Sequence, residues 1–283
     1  MRNRSSAFCL PHAAWPLFLA AGLAFPALAQ KGSAPAREFH WPEGKKAALS
    51  LTFDDARGSQ IDNGLPFFEA QGVKVTFYVN PGAVKARQEG WKQAVRLGHE
   101  IGNHTVRHPC SDNFIWIRER KAALEDYSLT QMRQELLEAN RQIRELLGVT
   151  PVTFAYPCGQ KFIGRGKDVK STVPLVARLF QAGRGYNDES LNAPLFGDLA
   201  QLSGPNMDNR DYTQVKTLVD LALAQGGWLV LAGHDIGDDV KPQMTRRAML
   251  KELLEDVRRP GREVWVDTVQ NISSYLRRDP KKQ

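Results

Sequence analysis

The sequence of 283 residues has few of the features of membrane, repeat or multidomain proteins. After residue 29, no apolar run approaches the length needed to cross a bilayer. No periodic self-similarity is present, which excludes a solenoid, and no linker is long enough to divide the chain after residue 30. The hydrophobic content of 42% is ordinary for a globular protein. One α/β domain is therefore expected.

Cysteine is scarce, with three residues in the whole chain. Cys9 lies in the N-terminal apolar segment described next, which leaves Cys110 and Cys158 as a pair. In an oxidising compartment an even number of cysteines is consistent with a disulfide. Two separate thiols are the alternative, since the sequence does not give the distance between them.

The N-terminus has the pattern of a secretory signal peptide. Arg2 and Arg4 precede a mostly apolar segment that ends in the small-residue sequence Ala27-Leu28-Ala29. A membrane anchor is the alternative, but Pro16 and Pro26 shorten the apolar run below a comfortable span. We therefore predict a cleaved signal at residues 1–29 and a periplasmic or secreted protein with no stable membrane span.

Charge gives weaker information. The net charge of +7 falls to +5 without the signal, since 36 basic residues then stand against 31 acidic ones. Such an excess would favour an anionic envelope polymer, although scattered solvated side chains explain it equally well. No nucleic-acid partner is expected.

Strand-like and helix-like segments alternate along the rest of the chain, which indicates a parallel α/β fold. The clearest helix starts with the capping box Ser128 to Gln131, and the last helix is predicted to be capped by Asp267 with Gln270. Strands are predicted at 47–53, 73–79, 99–103, 152–155, 182–186, 228–232 and 264–266, and helices at 64–70, 91–97, 129–147, 174–180, 215–224 and 245–257, followed by the last helix.

Four stretches have no clear period. Residues 30–46 are polar and predict a leader or cap rather than core, and residues 279–283 form a basic tail. Residues 187–211 are rich in Asn, Asp, Gly and Pro and predict a loop. Residues 109–127 fit either the rim of a substrate groove or an additional packed helix. The main domain is expected to span 47–278.

Two adjacent carboxylates, Asp54 and Asp55, end the first predicted strand. Like charges this close repel each other unless a cation or a raised pKa compensates. If one aspartate binds a metal, the other can act as a general base beside it.

Histidines follow two other predicted strands. His104 and His108 are four residues apart, so one helical turn would place both imidazoles on the same side, and Pro109 would end that turn. Two imidazoles and one carboxylate form a ligand set typical of hydrolytic zinc enzymes. His234, after another strand, could protonate a leaving group. A hydrogen-bonded loop histidine is the alternative for His234.

These segments resemble motifs of the polysaccharide deacetylases, the NodB-homology enzymes of carbohydrate esterase family 4. The similarity lies in Thr52-Phe53-Asp54-Asp55, His104-Thr105-Val106-Arg107-His108, the turn at Pro157, and His234 after a hydrophobic strand. It covers roughly residues 47–275. The resemblance implies a distorted (β/α) barrel and metal-dependent removal of acetyl groups from sugars.

The resemblance also implies a role for each matching residue. Asp54 would be the base that activates water, and Asp55, His104 and His108 would hold a divalent metal, usually Zn²⁺. Thr105 would stabilise the loop from His104 to His108, called the histidine loop below. The backbone N–H of Cys158 would lie in the oxyanion hole, and His234 would be the general acid.

Two departures from the family pattern stand out. The arginine that commonly starts the third motif and orients the catalytic aspartate is replaced by Ala155. The fourth motif is not recognisable, so the partner of His234 is left open among Asp198, Asp208, Asp211 and Asp235.

The function expected from the sequence is deacetylation of an acetylated glycan, with N-acetylglucosamine polymers, peptidoglycan or chitin oligomers as substrates. Ester hydrolysis on acetylated xylan is a second possibility within the same family. A barrel that binds glycans with little turnover is a third, because of Ala155 and the unrecognised fourth motif.

Overall fold

The computed structural model describes residues 39–278, which belong to one compact unit. The predicted signal peptide, most of the predicted leader and the basic tail lie outside these residues. The strands are β1 Ala47–Asp54, β2 Thr76–Val79, β3 Glu100–Asn103, β4 Thr153–Ala155, β5 Phe162–Ile163, β6 Lys170–Ser171, β7 Ala182–Arg184, β8 Trp228–Gly233, β9 Asp235–Gly237, β10 Met244–Arg246 and β11 Val264–Val266.

Seven strands form one parallel sheet in the order β11-β1-β2-β3-β4-β7, with β8 also paired to β1. The strand β1 is long enough to pair with β8 along one side and with both β11 and β2 along the other. All eight of its residues are buried, as expected for a strand covered on both faces.

The sheet curls into a distorted barrel, as predicted. Its two outer strands, β7 and β8, do not pair with each other directly. Instead, an irregular segment lies between them, with Leu202 bridging to Arg184 and Asn206 bridging to Ala232. The sheet therefore curves far enough to bring the carboxyl ends of β1, β3, β4, β7 and β8 around one cavity.

Helices surround the sheet. Their apolar sides pack against the strands, as with Leu253 and Leu254 of the eighth helix, which are buried in the main core. The helices are α1 Leu65–Gln71, α2 Pro81–Ala86, α3 Gln88–Arg96, α4 Ile115–Arg120, α5 Leu129–Leu147, α6 Val173–Leu179, α7 Tyr212–Gln225, α8 Arg247–Val257 and α9 Val269–Arg277. None of the described helices is both long and apolar enough to cross a membrane.

Most predicted elements are present, with shifts of a few residues at their ends. The helix α5 has the predicted capping box at Ser128, and Met132, Leu136 and Ala139 on its apolar face are buried. Leu129, also placed on that face, is 37% exposed because it begins the helix beyond the edge of the core.

Three local predictions are wrong. Thr245, predicted to start a helix, lies in β10, and α8 begins at Arg247. The cap of α9 is Thr268, whose hydroxyl accepts from the Asn271 N–H, because Asp267 instead bonds the Thr268 N–H. Trp41, in the segment predicted to be a cap rather than core, is buried and donates its indole N–H to the Gly226 carbonyl at 3.0 Å.

Candidate metal centre and active site

The two adjacent aspartates face different partners. Asp54 ends β1 and is 3% exposed. Asp55 follows with φ of +75° and Ala56 with φ of +52°, so the chain turns sharply out of the strand. Non-glycine residues rarely adopt such angles, which are commonest at functional sites. This turn separates the two carboxylates that the sequence places side by side.

Asp55 lies against both histidines of the second motif. Its Oδ1 atom is 3.5 Å from His104 Nε2 and 3.4 Å from His108 Nε2. One donor atom from each of the three residues lies within 4.8 Å of the others. The structure thus brings the three predicted metal ligands together.

The donor set fits a divalent metal such as Zn²⁺. His104 Nδ1 lies 2.9 Å from the Ala155 carbonyl, which can only accept, so Nδ1 carries a proton and Nε2 is the nitrogen that faces Asp55. Burial lowers the pKa of His108 to about 4, so its imidazole is neutral at neutral pH. Two imidazoles and a carboxylate suit zinc.

The histidine loop is not the predicted helical turn. Thr105 and His108 have φ of +64° and +55°, which no α-helix allows. The Thr105 hydroxyl accepts a hydrogen bond from the His108 N–H at 2.9 Å. The Asn80 side chain donates to the Thr105 carbonyl at 3.1 Å, and the Glu135 carboxylate accepts from the Val106 N–H at 3.0 Å. These hydrogen bonds, and not the backbone hydrogen bonds of a helix, fix the conformation of the loop.

Arg57, which the sequence analysis did not select, holds the other side of Asp55. Its guanidinium donates to Asp55 Oδ2 and to Asp235 Oδ2, each at 2.9 Å. Asp55 Oδ1 therefore stays directed at the histidines. Asp235, one of the proposed partners of His234, bonds instead to Arg57 and to the Ser59 hydroxyl.

Arg184 supplies the arginine that the third motif lacks. Its guanidinium donates to Asp54 Oδ1 and, at 2.7 Å, to the Gly185 carbonyl, and it packs over the ring of Tyr78. In the β4–β7 pairing, Arg184 is the register partner of Ala155. Arg184 thus contacts Asp54 from β7, whereas the arginine common in the family would stand at position 155 on the neighbouring strand β4. A charged residue in the middle of the strand predicted at 182–186 was the available signal.

Asp54 is charged and has one oxygen available. Burial alone would raise its pKa, but the neighbouring Arg184 and then His104 and His234 lower the pKa below its usual value. No hydrogen-bond donor of the described residues binds Oδ2, and Asp54 lines the cavity. The carboxylate can therefore accept a proton inside the cavity.

Asp208 is the partner of His234. Its Oδ2 atom is 2.6 Å from His234 Nδ1, while its Oδ1 accepts from the His234 N–H at 3.1 Å and from the Thr245 hydroxyl at 2.5 Å. Burial lowers the pKa of His234, but the bond to Asp208 and the charge of Asp54 raise it overall. Asp198 and Asp211 cap helical segments instead. The Asp208 carboxylate, bonded to Nδ1, thus fixes the orientation of the His234 imidazole, whose Nε2 atom faces the cavity.

Cys158 joins the third-motif turn to the histidine loop. Cys110 and Cys158 form a disulfide across 48 residues of sequence. Cys158 has φ of +55° and lines the cavity, and no acceptor among the described residues takes its backbone N–H. That N–H is available to an oxyanion, as the resemblance implied.

These groups surround a cavity of about 750 Å³. Phe114, Trp116 and Arg120 form part of its wall. They lie on or beside α4, whose Ile117 is fully buried. The segment 109–127 therefore contains the packed helix of one interpretation, and it also borders the cavity, as the other interpretation requires.

Two further residues have structural roles. His99 Nδ1 accepts from the Val75 N–H at 3.2 Å, and its other nitrogen lies 3.3 Å from Glu69, so it is not a fourth ligand. Trp228 is fully buried and donates to the Ser50 hydroxyl at 3.1 Å.

Residues 42–172 match the family model for polysaccharide deacetylase. This segment of the chain belongs to the polysaccharide deacetylase family. The match contains the acidic pair and the histidine loop, while Arg184, Asp208 and His234 lie beyond it.

Curated relatives extend the comparison. The chain is 25% identical over 259 residues to gellan lyase of a Bacillus species, covering 83% of this chain and 10% of that protein. It is 28% identical over 119 residues to peptidoglycan-N-acetylglucosamine deacetylase PgdA of Listeria monocytogenes, covering 39% of this chain and 21% of PgdA. The chain thus spans only a small part of these relatives.

The fold has a counterpart among solved structures. A probable polysaccharide deacetylase from Pseudomonas aeruginosa superposes with a TM-score of 0.62, at 16% identity, covering 86% of this chain and 95% of that one. The curled parallel sheet surrounded by helices is therefore the deacetylase (β/α) barrel.

Proposed function

We propose that this protein is a metal-dependent hydrolase that removes acetyl groups from an acetylated polysaccharide or oligosaccharide, with N-acetylglucosamine-type sugars as substrates. The observation that supports it most is the separation of the acidic pair. Asp55 faces His104 and His108, while Asp54 keeps one free oxygen in the same cavity. This arrangement leaves Asp55 to bind a metal with the two histidines and Asp54 to accept a proton.

Asp55, His104 and His108 would hold the metal, and we expect Zn²⁺. When bound, it would polarise the acetyl carbonyl as a Lewis acid. Asp54 would take the proton from the attacking water through Oδ2, because Arg184 occupies Oδ1. The Cys158 N–H would donate to the negative charge that develops on the carbonyl oxygen when water attacks the carbonyl carbon.

His234 would protonate the leaving nitrogen. Amide hydrolysis needs this proton because an unprotonated amine anion is a very poor leaving group. Asp208 would keep the imidazole oriented and favour its charged form, as the raised pKa of His234 indicates. Base and acid would thus reach the substrate from two sides of the cavity.

The proposed setting is a periplasm or the cell exterior, after removal of residues 1–29, with the catalytic domain at residues 47–278. The similarity to PgdA of Listeria monocytogenes, a peptidoglycan-N-acetylglucosamine deacetylase, supports an envelope glycan as substrate. The partner is the glycan, and no nucleic acid is expected.

Two alternatives are separable by experiment. An O-acetyl esterase of the xylan type needs leaving-group protonation less, so His234→Ala should impair ester substrates less than acetamides. A barrel that only binds glycans would release no acetate from any substrate. The bond between Arg184 and Asp54 argues against this second alternative, because it supplies the orientation that Ala155 cannot.

The deciding experiment measures metal content and acetate release together. We expect one divalent ion per chain, acetate release from N-acetylglucosamine oligomers, loss of release with a chelator and recovery with Zn²⁺. His104→Ala should lose both metal and activity, whereas His99→Ala should retain the metal because His99 lies away from the site. Wild-type protein that is metal-loaded but releases no acetate from amides or esters would contradict the proposal.

A further inference from the structure

The cavity wall contains arginines that form ion pairs with aspartates and arginines that do not. Its two aspartates are each bonded to an arginine, Asp54 to Arg184 and Asp55 to Arg57. Arg107 and Arg120 also line the cavity, and neither has a carboxylate partner among residues 39–278. The wall therefore has two arginines beyond the candidate metal site whose guanidinium groups form no ion pair with the described residues.

Arg120 is held in place by packing. Its guanidinium carbon lies 5.1 Å from the centre of the Trp116 ring, and that ring is 5.7 Å from the imidazole of His108. A guanidinium over an aromatic face keeps its edge N–H donors free for a carboxylate. Trp116 is 36% exposed, so the pair lies at the mouth of the cavity.

Arg107 extends the same positive surface. It lies between His104 and His108 in the histidine loop, and its side chain is exposed. The side chain interacts with the hydroxyl of Tyr127, and the Glu135 carboxylate, which accepts from the Arg107 backbone N–H, offsets part of its charge without forming an ion pair with the guanidinium. Two arginines next to a catalytic centre favour anionic ligands and exclude cationic ones.

From this wall we infer that the glycan is anionic, with a carboxylate on a sugar next to the residue being deacetylated, bound by Arg120 and Arg107 beside Trp116. This inference rests on the proposed function and specifies its substrate class. A neutral polymer would leave both guanidinium groups without an ion-pair partner. A carboxylated one would gain ion pairs without touching the reacting groups.

The test compares an oligosaccharide of alternating N-acetylglucosamine and uronic acid with the same oligosaccharide after its carboxylates have been reduced to alcohols. We expect wild-type kcat/KM to be about tenfold higher for the carboxylated form, mostly through KM, and the preference to shrink at high salt. Arg120→Gln should reduce the preference about threefold, as expected for one exposed ion pair, and adding Arg107→Gln should abolish it.

Arg118→Gln is the matched control. Arg118 lies on the same helix, pairs with Asp112 and is not part of the cavity wall. It should keep the wild-type preference and the wild-type activity on both oligosaccharides. Equal wild-type activity on both substrates, or equal loss in the two variants, would overturn the inference.

A binding measurement separates this inference from the proposed function. Calorimetry with metal-loaded Asp54→Asn protein reports affinity for both oligosaccharides without turnover. Tighter binding of the carboxylated form that depends on Arg120 would support the anionic substrate even if acetate release failed. Equal affinity would refute it while leaving the deacetylase proposal intact.

Discussion

The Arg184 guanidinium bonds to Asp54 across the interior of the barrel, and both side chains are almost completely buried. Ala155, which stands where the family commonly has this arginine, is the register neighbour of Arg184 on the adjacent strand. One strand spacing is about 4.8 Å, a distance that an arginine side chain covers easily. The same contact is therefore reached from a different position in the sequence.

Removing this arginine should impair both stability and catalysis. Arg184→Ala leaves a buried carboxylate without its partner, so we expect a loss of about 3–5 kcal/mol of unfolding free energy and a raised pKa of Asp54. Denaturant unfolding and the pH dependence of kcat/KM measure the two effects. The double variant Arg184→Ala with Ala155→Arg should recover part of both. If neither stability nor activity recovers, the arginine must stand on β7, and a positive charge at position 155 on β4 cannot replace it.

Asp54→Asn should separate metal binding from catalysis. Because the metal is assigned to Asp55 and the two histidines, the variant should keep its metal content. Loss of the base should lower kcat by about 10²–10⁴-fold. Metal analysis and acetate release check the two halves of this prediction, with Asp55→Asn as the comparison that should lose metal. Normal turnover of Asp54→Asn would refute its role as base.

Asp208→Asn should shift the alkaline side of the pH profile. His234 must be protonated to act as an acid, so activity falls as pH rises through its pKa. The bond to Asp208 raises that pKa, and removing the charge should lower it and move the fall to lower pH by about one unit or more. The pH dependence of kcat on an acetamide substrate measures this. Asp198→Asn, which removes a charge but keeps the oxygen that caps a helical segment, should leave the profile unchanged.

The disulfide should contribute strongly to stability. Closing a loop of 48 residues is expected to add about 3–4 kcal/mol by restricting the unfolded chain. Cys110→Ser with Cys158→Ser should lower the denaturation midpoint accordingly. The bridge also joins the histidine loop to the turn that contains the Cys158 N–H. The activity of the variant should therefore fall by more than the fraction of unfolded protein accounts for. Two free thiols in the unfolded, unreduced protein would contradict the bridge.

The sequence by itself determined the elements and the local chemistry. Periodicity predicted the seven strands of the main sheet and most of the helices, because apolar patterning depends on which face is buried. It did not predict the short strands β5, β6, β9 and β10 or the helix α2. Asp54, Asp55, His104 and His108 were identified from their types and spacing, and the structure brings them to one cavity.

Only the tertiary structure decided which distant residues serve those groups. Nothing in the local sequence distinguishes Asp208 from Asp198 or Asp211, since its contact with His234 depends on the path of an irregular loop. Arg184 likewise acquires its role from the register of β4 and β7 and from the curvature of the sheet. Such contacts join residues far apart in the chain, so no local pattern predicts them.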